Sequence, residues 1–229
     1  MPELIRPIEQ RRLYQQIADR IRELIQRGDF QPSTRLPAER ELAQTLGVSR
    51  PSLREALIAL EIDGSVEIRM GSGIYVSAGQ QPAPPASSLG ESPSEIMQAR
   101  IAVEGTVAVM ACVRMTSEML AALRELLRSM RQTIEAGRVP LEQDREFHVL
   151  LASQAGNSVL TRLVGELFDG RQGIILAKLS TKFENSGTWR IALAEHDAIL
   201  SALEATDVLR VEAAMRTHLH NSAERWLGD

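Results

Sequence analysis

The stretch DREFH, Asp144 to His148, pairs a carboxylate with an imidazole. Residues four apart on a helix lie one above the other on the same face. Two further histidines, His196 and His218, fall on helical faces that also carry apolar residues, whereas His220 lies about 200° further round its helix. Three imidazoles and one carboxylate that face a shared interior are the donor set of a divalent metal site.

This donor set defines a class of metals. Imidazole and carboxylate together suit zinc, nickel, manganese, iron and cobalt, and zinc is our first choice. Each histidine taken alone is better explained as a core side chain that is hydrogen-bonded to a neighbour. The coincidence of three histidines, one with an aspartate four residues before it, favours a metal site.

Three more side chains are candidates for holding a ligand at such a metal. Arg100 and Glu104, in QARIAVEG, are four residues apart and can form an intrahelical salt bridge worth roughly a few tenths of a kcal/mol. The alternative, which we weigh equally, is that Arg100 binds a ligand carboxylate in a bidentate manner. Asn221, about one turn from His218, is a weaker candidate for a polar contact to the ligand.

A second group of candidate residues is basic and lies in ELAQTLGVSRPSLREAL, residues 41–57. Ala43 is small where two helices would cross, and Gly47 permits a tight turn between them. A helix-turn-helix places the N-terminal end of its second helix in the major groove of DNA. In this sequence that end carries hydroxyl and guanidinium groups, on Ser49, Arg50, Ser52 and Arg54.

Arginine binds both guanine edges and phosphate, so the residues alone leave the two roles open. Arg35 and Arg40 flank the second helix and are predicted to contact the DNA backbone, and Gly71 allows close approach at a hairpin tip. Residues 35–54 carry four arginines and two glutamates, a net charge of +2, although residues 1–77 are balanced. Taken singly, these arginines are ordinary solvated side chains, but together with the turn they favour DNA binding.

The elements that must position these side chains follow from hydrophobic periodicity. Apolar residues within 13–25 have the spacing of an amphipathic helix, which Gly28 is placed to end. A second helix is predicted at 38–47, and a third runs from the N-cap Ser49 to Gly64. Alternating apolar residues around MGSG then indicate a β-hairpin. Three helices and a hairpin predict a winged helix-turn-helix.

A stretch rich in Pro, Ser and Gly, SAGQQPAPPASSLGESPS, separates this region from the rest of the chain. We predict a DNA-binding domain at 1–77, a linker at 78–93 and an all-helical domain at 94–229. The helices of the last domain are predicted at 94–115, 116–136, 140–155, 157–180, 188–205 and 207–227. Their short connections predict an antiparallel bundle of six or seven helices, so the fold class is mainly α.

Composition excludes several classes of protein. The chain has 229 residues, of which 44% are hydrophobic, enough for one or two cores. The single cysteine, Cys112, excludes an intramolecular disulfide framework and a cysteine-rich zinc module. No stretch has the length and apolarity of a membrane span or a signal peptide. We therefore expect a cytoplasmic protein with no membrane partner.

Residues 35–76 resemble the winged helix of GntR-family bacterial transcription regulators, through the motif LPAERELA…GVSRPSLREAL…G. The resemblance implies a homodimer that binds a palindromic double-stranded operator. It also implies that Arg35 lies just before the LP motif. Five residues fall on the family's DNA-contacting positions, namely Arg40, Ser49, Arg50, Arg54 and Gly71.

Residues 94–229 resemble the FCD domain of the FadR-type subfamily, through ARIAVEG, DREFHVLLASQAGN, EHDAILSALEATD and MRTHL. In metal-binding members, an aspartate and three histidines ligate the metal, and these positions correspond to Asp144, His148, His196 and His218. The resemblance implies a small carboxylate effector whose oxygens complete the metal shell. Some relatives lack the metal and bind acyl-CoA, but the four filled positions favour the metal-binding branch.

We therefore predict a transcription regulator, a repressor, whose operator binding is controlled by a small organic acid at a metal site. Two alternatives stay open at this point. In the first, the metal itself is the signal. In the second, the protein is a metal-dependent hydrolase in which Glu104 activates water. The expectation is that the protein is not an enzyme, because a DNA-binding domain is an unusual companion for such a site.

Overall fold

The computed structural model describes residues 12–78, 90–170 and 173–227. The chain divides into two compact units, Met1–Ser92 and Pro93–Asp229. Most of the predicted linker, residues 79–89, lies outside the described residues. Near the end of that linker, the Gly90 carbonyl accepts a hydrogen bond of 3.0 Å from the Tyr14 hydroxyl. This end of the predicted linker is therefore attached to the first unit.

The first unit contains three helices followed by an antiparallel hairpin. Its elements are α1 (Leu13–Arg27), α2 (Glu39–Leu46), α3 (Arg50–Ile62), β1 (Val66–Arg69) and β2 (Gly73–Val76). One face of α1 is buried and packs against α3, through Tyr14, Ile17, Ala18 and Ile21. The order of these elements confirms the winged helix-turn-helix prediction.

Glycine and serine mark the limits of these helices. Gly28 follows α1 with a φ of 86°, and Gly47 follows α2 with a φ of 68°, a left-handed conformation that favours glycine. Ser49 precedes α3, and its hydroxyl accepts a hydrogen bond of 3.2 Å from the backbone N–H of Ser52. The cap and the turn together fix the angle at which α3 leaves α2.

The second unit consists of seven helices in the described residues. They are α4 (Pro93–Cys112), α5 (Ser117–Glu135), α6 (Leu141–Ser153), α7 (Ser158–Asp169), α8 (Ile174–Phe183), α9 (Ser186–Glu204) and α10 (Val208–Leu227). α10 packs against α4 and α9, while α5 lies against α9 and α6, and α7 lies against α6 and α4. The mainly helical fold class and the helical bundle are confirmed.

The single helix predicted at 157–180 is wrong, because the structure has two helices there. α7 ends at Asp169, and α8 begins only at Ile174. Gly170 and Gly173 flank the break, and each glycine disfavours a helix interior by about 1 kcal/mol relative to alanine. Within the described ranges, no helix is both long and apolar enough to cross a membrane.

Candidate metal centre and nucleic-acid interface

Four buried polar side chains from three helices of the second unit meet in one group, which we call the four-residue cluster. α6 contributes Asp144 and His148, α9 contributes His196, and α10 contributes His218. One ligand atom from each residue lies within 4.8 Å of the others. Asp144 Oδ1 is 3.1 Å from His196 Nε2 and 3.8 Å from His148 Nε2. The structure thus brings all four sequence-predicted ligand residues together.

Each imidazole of the cluster has its Nδ1 atom occupied by a different partner. Nδ1 of His148 lies 2.5 Å from Glu104 Oε2, and Nδ1 of His218 lies 2.8 Å from Glu195 Oε2. Nδ1 of His196 lies 2.7 Å from the Ala192 carbonyl of its own helix. Outer partners of this kind fix the tautomer and ring orientation of metal-ligating histidines and direct Nε2 towards the metal.

Two inner nitrogens of the cluster make no hydrogen bond of good geometry with the described residues. Nε2 of His148 and Nε2 of His196 are buried, and neither makes a hydrogen bond of acceptable geometry with the part of the chain that the structure describes. Buried polar atoms are normally hydrogen-bonded, so such a pair requires an explanation. A divalent cation would satisfy both nitrogens, and this donor set therefore fits a metal.

Burial and charge set the protonation of the groups around the cluster. Burial lowers the pKa of His148, and burial together with the charge of His196 lowers the pKa of His218 to about 3. Although burial acts to raise it, Arg100 and His148 lower the pKa of Glu104 to about 2. The imidazoles of His148 and His218 are therefore neutral near pH 7, as metal ligation requires.

Arg100 is buried beside the cluster in an ion pair with Glu104. Its Nε lies 2.6 Å from Glu104 Oε1, and its guanidinium carbon lies 4.8 Å from the centre of the Phe168 ring. Glu104 in turn contacts His148, so the ion pair is part of the support of a cluster histidine. Nη2 of Arg100 is buried without a hydrogen-bond partner among the described residues, and this donor is available to a ligand.

Glu195 holds a second support network, which the sequence did not reveal. Besides His218, its carboxylate accepts hydrogen bonds from Asn221 at 2.9 Å and from both terminal nitrogens of Arg225, at 2.9 and 3.0 Å. Although burial opposes it, His218 and Arg225 lower the pKa of Glu195 to about 2. Asn221, predicted as a ligand contact, thus donates to Glu195 in the structure. The sequence feature that could have indicated this role is the position of Glu195, one residue before the predicted ligand His196.

A small cavity of about 20 Å³ adjoins the four-residue cluster. It is lined by two cluster residues, by residues of α9 and α10, and by the end of α8 with the residue after it. The lining residues are Asp144, Phe183, Glu184, Thr188, Trp189, Ala192, His218, Ser222, Arg225 and Trp226. Among the described residues, the lining includes none of Arg100, Glu104 and Asn221. Sequence reasoning missed Trp189, Arg225 and Trp226, although the latter two lie about two turns after His218 on α10.

In the first unit, the predicted DNA-contacting residues lie around the N-terminus of α3. The hydroxyls of Ser49 and Ser52 are 2.8 Å apart and form part of the helix cap. Arg54 Nη2 lies 2.6 Å from Glu39 Oε2, an ion pair that joins α3 to α2. Arg50 is half-buried, and its Nε has no hydrogen-bond partner within the described residues.

The remaining candidates flank this helix end or belong to the wing. Arg40 is exposed on α2, and Gly71 is exposed in the hairpin loop with a φ of 72°. Arg35 lies against the wing, because a Cβ added to Gly73 would fall 2.4 Å from its Nε. Gly73, which has no side chain, therefore provides the space that Arg35 needs. At the tip, Met70 is 67% exposed.

Comparisons with known proteins agree for both units. The family model for bacterial regulatory proteins of the gntR family matches residues 13–76, and the FCD domain model matches residues 95–221. The Uxu operon transcriptional regulator of Escherichia coli strain K12 is 34% identical over 224 residues, which cover 94% of this chain and 87% of that protein. The Exu regulon transcriptional regulator of the same strain is 34% identical over 222 residues, covering 93% and 84% respectively.

A solved structure shows the same arrangement of elements. The Streptococcus agalactiae GntR protein aligns with a TM-score of 0.51 and 27% sequence identity. The alignment covers 92% of this chain and 99% of that one. The gntR family model describes bacterial regulatory proteins, and both relatives are transcriptional regulators.

Proposed function

The chain belongs to the GntR family of bacterial regulatory proteins and carries an FCD domain, and from this premise we propose that a small organic acid bound at a divalent metal controls its DNA binding. Its general role as a DNA-binding transcription regulator follows from the family. The metal, the acid and the residues that hold them are the proposal. The hydrolase alternative is set aside, because the matched families and relatives are regulators.

The four-residue cluster is the observation that carries this proposal. Asp144, His148, His196 and His218 would hold the metal, with zinc as the first choice and nickel, manganese or iron as alternatives. When bound, the metal supplies a concentrated positive charge that attracts carboxylate oxygen. The contribution of the chain is to hold three imidazoles in fixed orientation through their Nδ1 partners.

The cavity beside the cluster is the proposed entry point for the acid. It is lined by the cluster residues Asp144 and His218 and by the cationic side chain of Arg225. The unpartnered Nη2 of the buried Arg100 is a second candidate donor for a carboxylate. Glu104 and Asn221, by contrast, are assigned to orienting the cluster and Glu195, respectively.

The cavity is so small that binding of an acid requires a conformational change. A volume of about 20 Å³ holds roughly one water molecule, which is less than any organic acid requires. An acid therefore has to displace lining side chains, such as Phe183 at the end of α8 and Glu184 directly after it. Binding that displaces packed elements favours one arrangement of the bundle over another.

The proposed DNA contacts are those of the α3 N-terminus and the wing. Arg50 and Arg54 are assigned to base edges or phosphates in the major groove, with Ser49 and Ser52 near the phosphates. Outside α3, Arg35, Arg40 and Gly71 are assigned to the DNA backbone. Arg54 must exchange its partner Glu39 for DNA, whereas Arg50 already has an unpaired Nε.

Two copies related by a two-fold axis would recognise a palindromic operator, with one winged helix on each half-site. α4 and α7 offer apolar surface for such an association. Val159 on α7 is 58% exposed and Val113, directly after α4, is 63% exposed. Val103 and Met110 of α4 and Leu160 of α7 are partly buried. In this scheme the acid releases a repressor from its operator. The coupling is reciprocal, so operator DNA must weaken acid binding by the same factor.

One titration tests the proposal. Operator duplexes are first selected from a random pool by the purified protein, and its metal content is measured. Operator affinity is then followed with EDTA, with added zinc, and with a panel of organic acids. We expect bound metal, and an acid that changes operator affinity only when the metal is present. If metal alone switches binding and no acid has an effect, the metal is the signal and the acid proposal is wrong.

A further inference from the structure

Trp189 has a buried polar atom for which the described part of the chain supplies no partner. The residue is only 5% exposed and lines the cavity beside the four-residue cluster. Its Nε1–H has no hydrogen-bond acceptor among the residues that the structure describes. An indole N–H can only donate, and a buried donor without an acceptor destabilises the protein.

Trp226 provides an internal comparison in the same cavity. Its Nε1–H donates a hydrogen bond of 3.0 Å to Glu184 Oε1. The two tryptophans therefore line one cavity with the same chemical group, but within the described ranges of the chain an acceptor is supplied to Trp226 and not to Trp189. This difference indicates that the Trp189 donor is matched to something that enters the cavity.

We propose that Trp189 is a ligand-binding residue, whose indole N–H donates a hydrogen bond to a second oxygen of the acid that the cluster binds. The inference rests on the proposed function, because it takes the occupant of the cavity to be an acid at the metal. In the acid-free protein the cavity has room for roughly one water, which can accept this hydrogen bond until the ligand oxygen displaces it.

The consequence is selectivity for acids with an oxygen beyond the carboxylate. A hydroxy, keto or dicarboxylic acid supplies an acceptor to Trp189, whereas a plain monocarboxylate displaces the water and supplies none. A site built to hydrogen-bond a substrate group discriminates against the analogue that lacks it, because the buried donor is left unpaired. In this proposal the cluster binds the carboxylate that all these acids share, and Trp189 selects among them by their second oxygen.

Matched acids and a donor-deletion variant test this role. The probes are butyrate, its 2-, 3- and 4-hydroxy derivatives, and succinate, titrated into zinc-loaded wild-type and Trp189→Phe protein. We expect at least one of the oxygen-bearing acids to bind wild type about tenfold more tightly than butyrate. Trp189→Phe should reduce that ratio to about one while retaining its zinc. The control is His220→Ala, in which the ratio should be unchanged, because that side chain is 65% exposed and is not part of the cavity lining.

A second measurement needs no change at Trp189. The chain contains two tryptophans, so ¹⁵N-indole labelling gives two N–H resonances, which the Trp226→Phe variant assigns. The preferred acid should shift the Trp189 proton downfield and slow its exchange with water, whereas butyrate should not. If acids bind and alter operator affinity but the ratio survives in Trp189→Phe and the resonance does not move, this inference is wrong and the proposed function stands. If no acid in the panel binds wild type, both are overturned.

Discussion

The two units hold their functional side chains in different ways. In the second unit, the histidines of the four-residue cluster are buried, and each has its outer nitrogen engaged by Glu104, Ala192 or Glu195. In the first unit, the arginines at the start of α3 lie near the surface, and Arg54 is paired with the partly exposed Glu39. One region is oriented from within the core, and the other is oriented by contacts that DNA can replace.

This difference is consistent with what each region is proposed to bind. A metal ion requires several ligand atoms at fixed positions, and buried support provides that precision. A DNA-binding surface must exchange its intramolecular partners for phosphates and base edges. Surface ion pairs contribute only about 0–1 kcal/mol, so they can be given up, whereas breaking a buried pair costs about 3–5 kcal/mol. We therefore expect substitutions in the cluster to have larger effects than those at the DNA surface.

The largest expected effect is that of His196→Ala, which removes one of the four proposed ligands. A metal that binds only the folded state stabilises it by about 4 kcal/mol at a thousandfold excess over Kd. The variant should lack metal by elemental analysis, and its melting temperature should not respond to EDTA. His220→Ala is the matched control, because that side chain is 65% exposed. A full equivalent of metal in His196→Ala would remove this residue from the site.

Low pH should destabilise the metal-free protein through its second unit, which contains all four histidines. Burial lowers the pKa of His218 in the folded protein to about 3, from an ordinary value of 6.5, so the unfolded chain binds more protons between these values. The free energy of unfolding is therefore fully retained above about pH 6.5. It decreases as the pH falls below that value, by about 1.4 kcal/mol per pH unit for each histidine whose pKa is lowered in the folded protein. Below about pH 4.5 the depressed pKa of Glu195 adds a loss of the same sign. Urea unfolding at about pH 7 and about pH 5 measures this, and equal stability at both contradicts it.

Removing the charge of Glu195 should weaken metal binding without removing a ligand. Glu195→Gln retains the shape of the side chain but loses the carboxylate that His218 and Arg225 contact. Substitution of such an outer partner typically lowers metal affinity by about 10- to 100-fold. Competition with a chromophoric chelator measures the change. Glu212→Gln, in an exposed pair with Arg216, is the control, and an equal loss in that variant would contradict a specific role for Glu195.

The parts of this molecule that were predictable from sequence depend on local periodicity. The spacing of Asp144 and His148 placed both on one face of α6, and the phase of α10 placed His218 inside and His220 outside. The turn at Gly47 likewise made the helix-turn-helix predictable from local sequence. These features involve neighbours within one or two helical turns, where geometry follows directly from residue number.

Contacts between distant helices were not predictable in this way. The approach of Glu195 to His218, and of Glu104 to His148, depends on how α9 meets α10 and how α4 meets α6. One sequence shows which face of a helix is apolar, but not which residue of another helix lies opposite. The cavity at Trp189 was missed for the same reason. The helix break after Asp169 was missed because the flanking glycines were given too little weight.

At the DNA surface, Arg50→Ala should lower specific operator affinity by about 1–3 kcal/mol, the contribution of one bidentate base contact. Metal content and melting temperature should stay at wild-type values, because the side chain is only half-buried. Fluorescence anisotropy with operator and scrambled duplexes at one salt concentration provides the measurement. Arg20→Ala is the control, since Arg20 pairs with Glu23 on the exposed side of α1. Unchanged operator affinity in Arg50→Ala would remove this arginine from the recognition surface.

The smallest effect, and the sharpest test of the comparison, is expected for Glu39→Gln. The Arg54–Glu39 pair is partly exposed, so its loss should lower stability by no more than about 1 kcal/mol. If Arg54 contacts DNA as proposed, Glu39 competes with DNA for it, and operator affinity in the variant should rise by up to about fivefold. A tenfold fall would instead mean that Glu39 orients Arg54 for DNA as Glu195 orients His218 for the metal. In that case both units would be preorganised by their acidic partners, and the contrast between them would lie only in burial.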